Sequence, residues 1–304
     1  MAARQYINYF NVFMNENQKG LTPSPDSHTI PSNEDGVEWI KSIHPDRLNG
    51  VALVIHGLNL QPDKMESIIG LLTHSCIDVL NLSLRGHGKN YIQKTNVDGN
   101  TARMETFKTV SYEYWMKETH RAYGLAENRS HEKQVPLFLI GFSLGGLMGA
   151  TLFASYPDVY FNRMVLLAPA LHVYTINYLA KLLSPFPRLV IPSFFIKSYC
   201  SNMGTPVAAY SALFEAIEHF KKNMDQKLNV PTLIFLDTKD EFVSYRKLKQ
   251  IIKDEGLHQW ELHPVKKNTT GAKGKMHHLI IDESSIGKDA WNKMRGLIIH
   301  HLLA

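Results

Sequence analysis

Short apolar runs alternate with amphipathic stretches along most of the chain. Residues 51–55 form a continuous apolar run bounded by turn residues, and the run contains two valines and an isoleucine. Such a run predicts a strand covered on both faces, as in a parallel sheet. Residues 64–74 follow with apolar side chains three or four positions apart, at Met65, Ile68, Ile69 and Leu72. This spacing predicts a helix, so the first clear unit is a strand followed by a helix.

The same alternation continues to the carboxyl end of the chain. Strand-like runs bounded by turn residues occur at 37–43, 77–84, 136–140, 164–168, 231–236 and 259–263. Helix-like stretches occur at 109–128, 144–155, 246–253 and 288–303. Strands that alternate with helices over the whole length predict the α/β class, with a mostly parallel sheet flanked by helices.

One interval interrupts the alternation. Residues 170–227 contain helix-like pieces, three prolines within eight residues and several aromatic residues. We interpret this interval as an inserted helical cap, which separates two parts of one core, residues 37–169 and 228–304. Residues 1–36 precede the core. Their aromatic residues favour an extension partly packed on the core, and the alternative is a tail that binds a partner.

Charge adds little to this picture. Hydrophobic residues make up 44% of the chain and charged residues 20%, which excludes a disordered chain. Lysine and arginine total 33 against 28 acidic residues, a net charge of +5. The densest basic cluster lies in a Gly/Thr loop and comprises Lys266, Lys267, Lys273 and Lys275. We interpret it as a solvated surface loop rather than a polyanion site, so no nucleic-acid partner is expected.

Cysteine content and hydropathy bear on location. Cys76 and Cys200 cannot form a disulfide framework, and we predict two free thiols in a reducing compartment, with a single disulfide as the alternative. Asparagines interrupt residues 1–20, which therefore do not resemble a secretory signal. No window approaches the roughly 18 uncharged apolar residues of a spanning helix. We expect a cytoplasmic protein without stable membrane insertion, and transient contact with a lipid surface stays open.

A G-x-S-x-G string occurs at residues 141–145, between an apolar strand and a helix of small residues. This strand–turn–helix setting presents a nucleophilic serine in enzymes. The tight turn needs very small residues two positions before and after Ser143, and Gly141 and Gly145 supply them. Ser143 then lies at a helix N-terminus, where the Leu144 amide can stabilise an oxyanion. The alternative is a glycine-rich turn that only allows close packing.

A serine hydroxyl also needs a base to accept its proton, and the base needs an orienting carboxylate. Residues 237–243 follow a predicted strand, at the sheet edge where the catalytic groups of parallel α/β sheets gather. Among them Asp240 is the favoured acid, and Asp237 and Glu241 are alternatives. The alternative role for Asp240 is to cap a helix or turn.

Two adjacent histidines follow the last predicted strand and precede the last predicted helix. We favour His277 as the base and keep His278 as the alternative. Adjacent side chains usually point apart, so we expect only one of them to serve Ser143.

The first strong strand ends in His56-Gly57-Leu58-Asn59. We expect the Leu58 backbone N–H to form an oxyanion hole together with the Leu144 N–H. The His56 side chain is expected to hold this loop. The alternative is an ordinary turn at the end of a strand.

Together these motifs resemble those of the α/β-hydrolase fold. The residues that carry the resemblance are His56-Gly57, Arg85-Gly86-His87-Gly88, the G-x-S-x-G string, Asp240 and the pair His277-His278. More narrowly, the chain resembles serine hydrolases that include monoacylglycerol lipases, lysophospholipase-like proteins and bacterial carboxylesterases. The resemblance runs from about residue 37 to 303. It implies that the stretch from Arg85 to Gly88 is a structural loop near the site.

The resemblance implies acyl transfer to water, in which Ser143 attacks an ester carbonyl and forms an acyl-enzyme. The implied enzyme is a carboxylesterase or a monoacylglycerol lipase-like protein. The alternatives are a thioesterase or acyltransferase, and a hydrolase-fold protein that binds without turnover. No cofactor or metal is expected, because the chain has no HExxH string, Walker loop or dinucleotide fingerprint. The chain departs from the family in its second histidine and in residues 266–275, which look like an insertion.

The cap suggests the substrate. It is rich in apolar residues, at Leu179, Leu182, Leu183, Phe186, Leu189, Ile191, Phe194, Phe195 and Ile196. Pockets for lipophilic ligands are lined in this way. We therefore expect a small-molecule acyl ester or lipid as the substrate, and the alternative is that these residues only pack the cap onto the core.

Overall fold

Nine strands are found in the residues that the computed structural model describes, which are 36–44, 46–174, 182–193, 196–267 and 276–304. In chain order they are β1 (Val37–Ile40), β2 (Gly50–Ile55), β3 (Ile77–Leu82), β4 (Leu137–Phe142), β5 (Arg163–Leu167), β6 (Val190–Pro192), β7 (Gly204–Pro206), β8 (Thr232–Asp237) and β9 (Trp260–Val265). Seven of them form one sheet in the order β1-β3-β2-β4-β5-β8-β9. Only β1 is antiparallel to its neighbour, so the predicted mostly parallel architecture is confirmed.

The central strands are buried at every position, which explains why their sequences do not alternate between apolar and polar residues. β3 is buried throughout as well, although it contains Asp78. Arg129 compensates this buried carboxylate, because its Nη2 lies 2.8 Å from Asp78 Oδ2. A charged residue inside a strand is therefore consistent with a strand covered on both faces.

Helices flank the sheet. In the described part of the chain they are α1 (Glu66–His74), α2 (Gly99–Phe107), α3 (Tyr112–Lys133), α4 (Leu144–Ser155), α5 (Val207–Asn223), α6 (Tyr245–Asp254), α7 (Glu283–Ile286) and α8 (Lys288–Leu303). The apolar pattern did not predict α2, which has few apolar residues. α2 begins instead at an N-cap, where the Asp98 carboxylate accepts hydrogen bonds from the backbone N–H groups of Asn100 and Thr101.

The segment predicted as a helical cap, residues 170–227, contains strands as well as helices. β6 and β7 form an antiparallel pair in which Val190 lies opposite Pro206. The sequence did not predict these strands, because each is only three residues long and contains a proline, which is rare within strands. The last element of the segment is α5, and His219 of α5 stacks on Tyr112 of α3 at 4.4 Å between ring centroids. α5 therefore packs on a helix of the core, and the cap boundaries at 170 and 227 stay a prediction.

Some predictions fall on residues outside the described part of the chain. These include the N-terminal extension apart from Gly36, and residues 175–181, 194–195 and 268–275 with Leu179, Phe194, Phe195, Lys273 and Lys275. Among the described helices, none combines the length and the apolar composition needed to cross a bilayer.

Candidate active site

Ser143 occupies the tight turn between β4 and α4, at the carboxyl edge of the sheet. Its backbone has φ 50° and ψ −110°, a combination that L-amino acids rarely adopt. The Ser143 N–H donates to the carbonyl oxygen of Leu167 (2.9 Å), and the Ser143 carbonyl oxygen accepts from the N–H of Ala170 (3.0 Å). The end of the neighbouring strand β5 therefore holds this unusual conformation in place.

Gly145 and Gly141 permit the turn because a side chain fits at neither position. A Cβ at Gly145 would lie 2.1 Å from the carbonyl oxygen of Ile55, and a Cβ at Gly141 would lie 2.5 Å from the Cα of Gly146. Both obstacles are backbone atoms, which cannot rotate away as a side chain does. The start of α4 therefore contacts the end of β2 only if residue 145 is glycine.

The mutation Gly145→Ala is expected to lower the free energy of unfolding by about 3 kcal/mol or more, because α4 must move away from β2. The matched control is Gly124→Ala in α3, where nothing lies within 4 Å of the added Cβ. This control should stabilise the protein by about 0.5–1 kcal/mol, since alanine favours a helix over glycine. Urea denaturation of both variants measures the difference. Equal stability of the two variants would contradict the steric account.

His278 links Ser143 to a carboxylate. His278 Nε2 lies 2.8 Å from Ser143 Oγ, and His278 Nδ1 lies 2.7 Å from Asp240 Oδ2. All three side chains are buried. The carboxylate beside Nδ1 fixes the proton on that nitrogen, so Nε2 is free to accept the Ser143 O–H. This is the arrangement that removes a proton from a serine nucleophile.

Asp240 is fixed in turn by its own loop. Its Oδ1 accepts hydrogen bonds from the backbone N–H groups of Phe242 (2.7 Å) and Val243 (2.8 Å), while Oδ2 receives the histidine. The turn-capping role considered for Asp240 and its contact with the imidazole thus coexist, one on each carboxylate oxygen. This arrangement orients the carboxylate towards His278.

The structure corrects our preference for His277 as the residue facing Ser143. His277 Nδ1 lies 2.8 Å from Asp237 Oδ2, and the His277 side chain is partly exposed, whereas His278 is buried against Ser143. The physical reason is that side chains of adjacent residues in an extended loop point apart, so only one of the two rings reaches the serine. Asp237, an alternative acid, therefore pairs with the histidine that does not reach Ser143.

Glu241, the other alternative acid, contacts backbone rather than an imidazole. Its Oε1 accepts from the His277 N–H (2.9 Å) and its Oε2 from the His278 N–H (3.0 Å). Lys267 donates to the Met276 carbonyl oxygen in the same stretch. Burial lowers the pKa of Lys267, and the nearby carboxylates, Glu241 first, act in the opposite direction. Two charged side chains therefore hold the loop that carries both histidines.

The loop after β2 lies next to the serine. A Cβ at Gly57 would lie 3.3 Å from the Ser143 Cβ, so the backbone of this loop is in close contact with the turn. Within the described residues, the N–H groups of Leu58 and Leu144 donate no hydrogen bond. Two unpaired amides beside a serine hydroxyl are the donors from which an oxyanion hole is built.

Two buried, neutral histidines support this loop. His56 Nε2 accepts from the Leu84 N–H (3.0 Å), and His87 Nε2 accepts from the Asn59 N–H (2.9 Å). Because these ring nitrogens accept, the Nδ1 atoms carry the protons, which they donate to the carbonyl oxygens of Gly57 and Leu84. Burial lowers the pKa of His56 to about 4 and lowers that of His87 well below its usual range. Both rings therefore serve as fixed hydrogen-bonding groups near neutral pH.

The Arg-Gly-His-Gly stretch forms a turn against the same loop. Gly86 and Gly88 have φ values of 88° and 50°, which glycine adopts without strain. The Arg85 N–H donates to Glu118 Oε2 (2.8 Å), and the Gly86 carbonyl oxygen accepts from Asn202 Nδ2 (2.9 Å). Sequence analysis did not single out Asn202. Its partners Asn59 and Gly86 lie more than a hundred positions away, so no local signal marks it.

In the part of the chain that the structure describes, no group of three or more His, Cys, Asp or Glu side chains is arranged to hold a metal ion. The side chains of Ser143, His278 and Asp240 are bonded to one another.

The sheet order and the serine turn define an α/β-hydrolase fold. Residues 46–203, just over half of the chain, match the model of the Hydrolase_4 family, which is described as serine aminopeptidase S33. The chain therefore belongs to this family of serine hydrolases and is an α/β-hydrolase enzyme. No curated protein matches the chain in sequence.

Solved structures share the fold across most of their length. A soluble variant of monoglyceride lipase from Saccharomyces cerevisiae, in complex with a substrate analogue, has a TM-score of 0.68 at 15% identity, over 92% of this chain and 98% of that chain. The monoacylglycerol lipase of Paleococcus ferrophilus has a TM-score of 0.62 at 19% identity, over 88% of this chain and 98% of that chain. A structure from work on the metagenome-derived lipolytic enzymes LipS and LipT has a TM-score of 0.66 at 18% identity, over 88% of this chain and 97% of that chain. At these identities the similarity establishes the fold and not the substrate.

Proposed function

We propose that the chain is a serine esterase that hydrolyses carboxylic esters of lipophilic acyl groups, with Ser143, His278 and Asp240 as its catalytic triad. The observation that carries this proposal is the unbroken line of short hydrogen bonds from Ser143 Oγ through His278 to Asp240. A fold match alone does not provide a nucleophile, whereas this geometry does.

The proposed reaction proceeds in two halves. Ser143 Oγ attacks the ester carbonyl carbon while His278 Nε2 takes the hydroxyl proton. The tetrahedral intermediate then expels the alcohol, which leaves with the proton from His278. Water, deprotonated by the same nitrogen, attacks the acyl-enzyme and releases the acid and free Ser143. Asp240 keeps the imidazole in the required tautomer and stabilises its charged form.

The amides of Leu58 and Leu144 are proposed to hold the oxyanion. One belongs to the loop after β2, which contacts the serine turn at Gly57, and the other belongs to the first residue of α4, directly after Ser143. The N-terminus of α4 adds the positive end of the helix dipole. Both amides are fixed backbone groups and need no rearrangement when charge develops.

Exposed apolar residues support a lipophilic substrate. In the described part of the cap, Leu182, Phe186 and Met203 are 74%, 61% and 94% exposed. A cap that exposes large apolar side chains offers apolar surface to a lipophilic ligand. Monoglyceride and monoacylglycerol lipases are among the structures with this fold. We therefore propose an acyl ester or lipid as the small-molecule partner.

The family description also raises an aminopeptidase, which must bind a free α-ammonium group. A carboxylate that is not already committed to holding the fold is the favoured partner of such a group. Asp240 and Glu241 each bond through both oxygens to groups of the chain itself. Asp237 also bonds through both oxygens, Oδ1 to the Lys239 N–H and Oδ2 to His277 Nδ1. These described carboxylates favour an ester over an amino-terminal peptide as the substrate.

A substrate panel tests this function. The purified protein should hydrolyse para-nitrophenyl esters, with kcat/KM rising from acetate to medium-chain acyl groups. Aminoacyl para-nitroanilides should not be turned over, and acyl-CoA thioesters should be poorer substrates than oxygen esters. Ser143→Ala, assayed with every compound, controls for background hydrolysis. A kcat/KM that is highest for an anilide or a thioester would replace the proposed esterase with a peptidase or a thioesterase.

A further inference from the structure

The loop after β2 turns sharply at Asn59. Asn59 has φ 54°, in the left-handed region that asparagine tolerates better than other side-chain-bearing residues. The Asn59 N–H donates to His87 Nε2 (2.9 Å), and Leu60 N–H donates to the Gly57 carbonyl oxygen (3.1 Å). The bond to the Gly57 carbonyl oxygen sets the direction of the Leu58 N–H, because both groups belong to one planar peptide unit.

The Asn59 side chain is held by a residue 143 positions away. Asn59 Nδ2 donates to the Asn202 carbonyl oxygen (3.0 Å), and the Asn202 N–H donates to Asn59 Oδ1 (2.9 Å). The Ser201 N–H donates to the Asn59 carbonyl oxygen (2.9 Å). Asn59 is 2% exposed and Asn202 is 6% exposed, so water does not compete for these bonds.

Asn202 joins this loop to two other parts of the fold. Its Nδ2 donates to the Gly86 carbonyl oxygen (2.9 Å), and its Oδ1 accepts from Arg103 Nε in α2 (3.3 Å). The backbone and the side chain of Asn202 are therefore both in use. Such a fully bonded, buried amide fixes its partners more firmly than an exposed one.

Asn202 lies between the strands β6 and β7, within the predicted cap rather than within the sheet. The same stretch makes a second link to the site, because Tyr199 Oη donates to Asp282 Oδ2 (2.8 Å), four residues after His278. The segment predicted as a cap is thus bonded to the loop that offers the Leu58 amide.

We infer that Asn202, acting through Asn59, is a positioning residue that holds the Leu58 amide where it stabilises the transition state. This inference rests on the proposed esterase function. An oxyanion exists in the transition state and not in the bound ester, so the loss of this positioning lowers kcat and leaves KM nearly unchanged. It also makes the oxyanion hole depend on residues 199–202 of the cap.

The first test is Asn202→Ala, with esters as the substrate. Misplacing one oxyanion donor should lower kcat about 10- to 100-fold, with KM within about threefold of the wild type. The inhibition constant of a trifluoromethyl ketone, which mimics the tetrahedral intermediate, should rise in parallel. A merely structural role would lower the melting temperature and the number of titratable active sites, and would leave kcat per active site unchanged.

Two variants of Asn59 and Asn202 separate positioning from folding. Asn59→Gly keeps the positive φ and removes only the side-chain bonds, so it should reproduce the loss in kcat. Asn202→Ala keeps both backbone bonds to Asn59 and removes the side-chain bonds to Gly86 and Arg103 that fix residue 202. The double variant Asn59→Gly/Asn202→Ala should lose no more than the worse single variant, because Asn59→Gly already breaks the connection through which residue 202 acts. If Asn202→Ala does not fold, Asn59→Gly and the conservative Asn202→Asp are judged by the same criteria.

The matched control is Asn162→Ala. The Asn162 side chain accepts from the Leu137 N–H (2.8 Å) at the opposite, amino end of β4. This variant should lose stability without losing kcat per active site. The inference is overturned if folded Asn202→Ala and Asn59→Gly keep wild-type kcat, if KM rises at constant kcat, or if Asn162→Ala loses kcat equally. Retained turnover in Ser143→Ala would instead overturn the proposed function itself.

Discussion

Ser143→Ala is expected to lower kcat for a para-nitrophenyl ester by at least about 10³-fold, which corresponds to roughly 4 kcal/mol of transition-state stabilisation. The reason is that the β4–α4 turn positions the Ser143 hydroxyl within hydrogen-bonding distance of His278 Nε2. The remaining oxyanion amides stabilise attack by water only weakly, so some residual activity is expected. Steady-state kinetics measure the loss in kcat. Circular dichroism and thermal unfolding check that the variant is folded.

The control for this prediction is Ser155→Ala, at the other end of α4. The Ser155 Oγ is buried and has no hydrogen-bond partner among the described residues, so removing it leaves the site unchanged. Its kcat should match the wild type. A Ser143→Ala protein that keeps wild-type turnover would remove Ser143 from the mechanism.

His278→Ala is expected to lower kcat by at least about 10³-fold, whereas His277→Ala should stay within about fivefold of the wild type. His278 contacts both Ser143 and Asp240, and His277 contacts Asp237 instead. Alanine keeps the backbone N–H groups that Glu241 binds, so neither variant removes the bonds by which Glu241 holds the loop. Each variant is thus the control for the other, and their ratio is the measurement.

The opposite ranking, with His277→Ala inactive and His278→Ala active, would contradict the geometry. Equal and large losses would mean that the loop as a whole, rather than one imidazole, governs turnover. Circular dichroism and thermal unfolding of both variants separate that outcome from misfolding.

The parallel sheet was predictable because its strands are covered on both faces. A strand such as β2 then has an apolar residue at nearly every position, a signal that does not depend on distant residues. The prediction failed for α2 and for the strands β6 and β7. α2 is specified by the Asp98 N-cap rather than by an apolar face, and the two short strands contain prolines.

The site was predictable where its chemistry is local. The G-x-S-x-G string places Ser143 at a turn because the steric demand falls on glycines only two positions away. The sequence does not distinguish His277 from His278, because the two are identical residues at adjacent positions between the same predicted strand and helix. Only the orientation of the loop in the folded chain decides which ring faces Ser143. The contact between Asn59 and Asn202 spans 143 positions, so only the folded chain reveals it. Local sequence specifies the serine turn, whereas long-range packing specifies its support.

Covalent labelling tests the central proposal most directly. A fluorophosphonate reacts with a serine only when the hydroxyl is activated by a base and accessible to the probe. Peptide mass spectrometry of the labelled protein should find the adduct on Ser143 in the wild type and in His277→Ala, and should find almost none in His278→Ala. An adduct on another residue, or undiminished labelling of Ser143 in His278→Ala, would contradict a serine activated by His278.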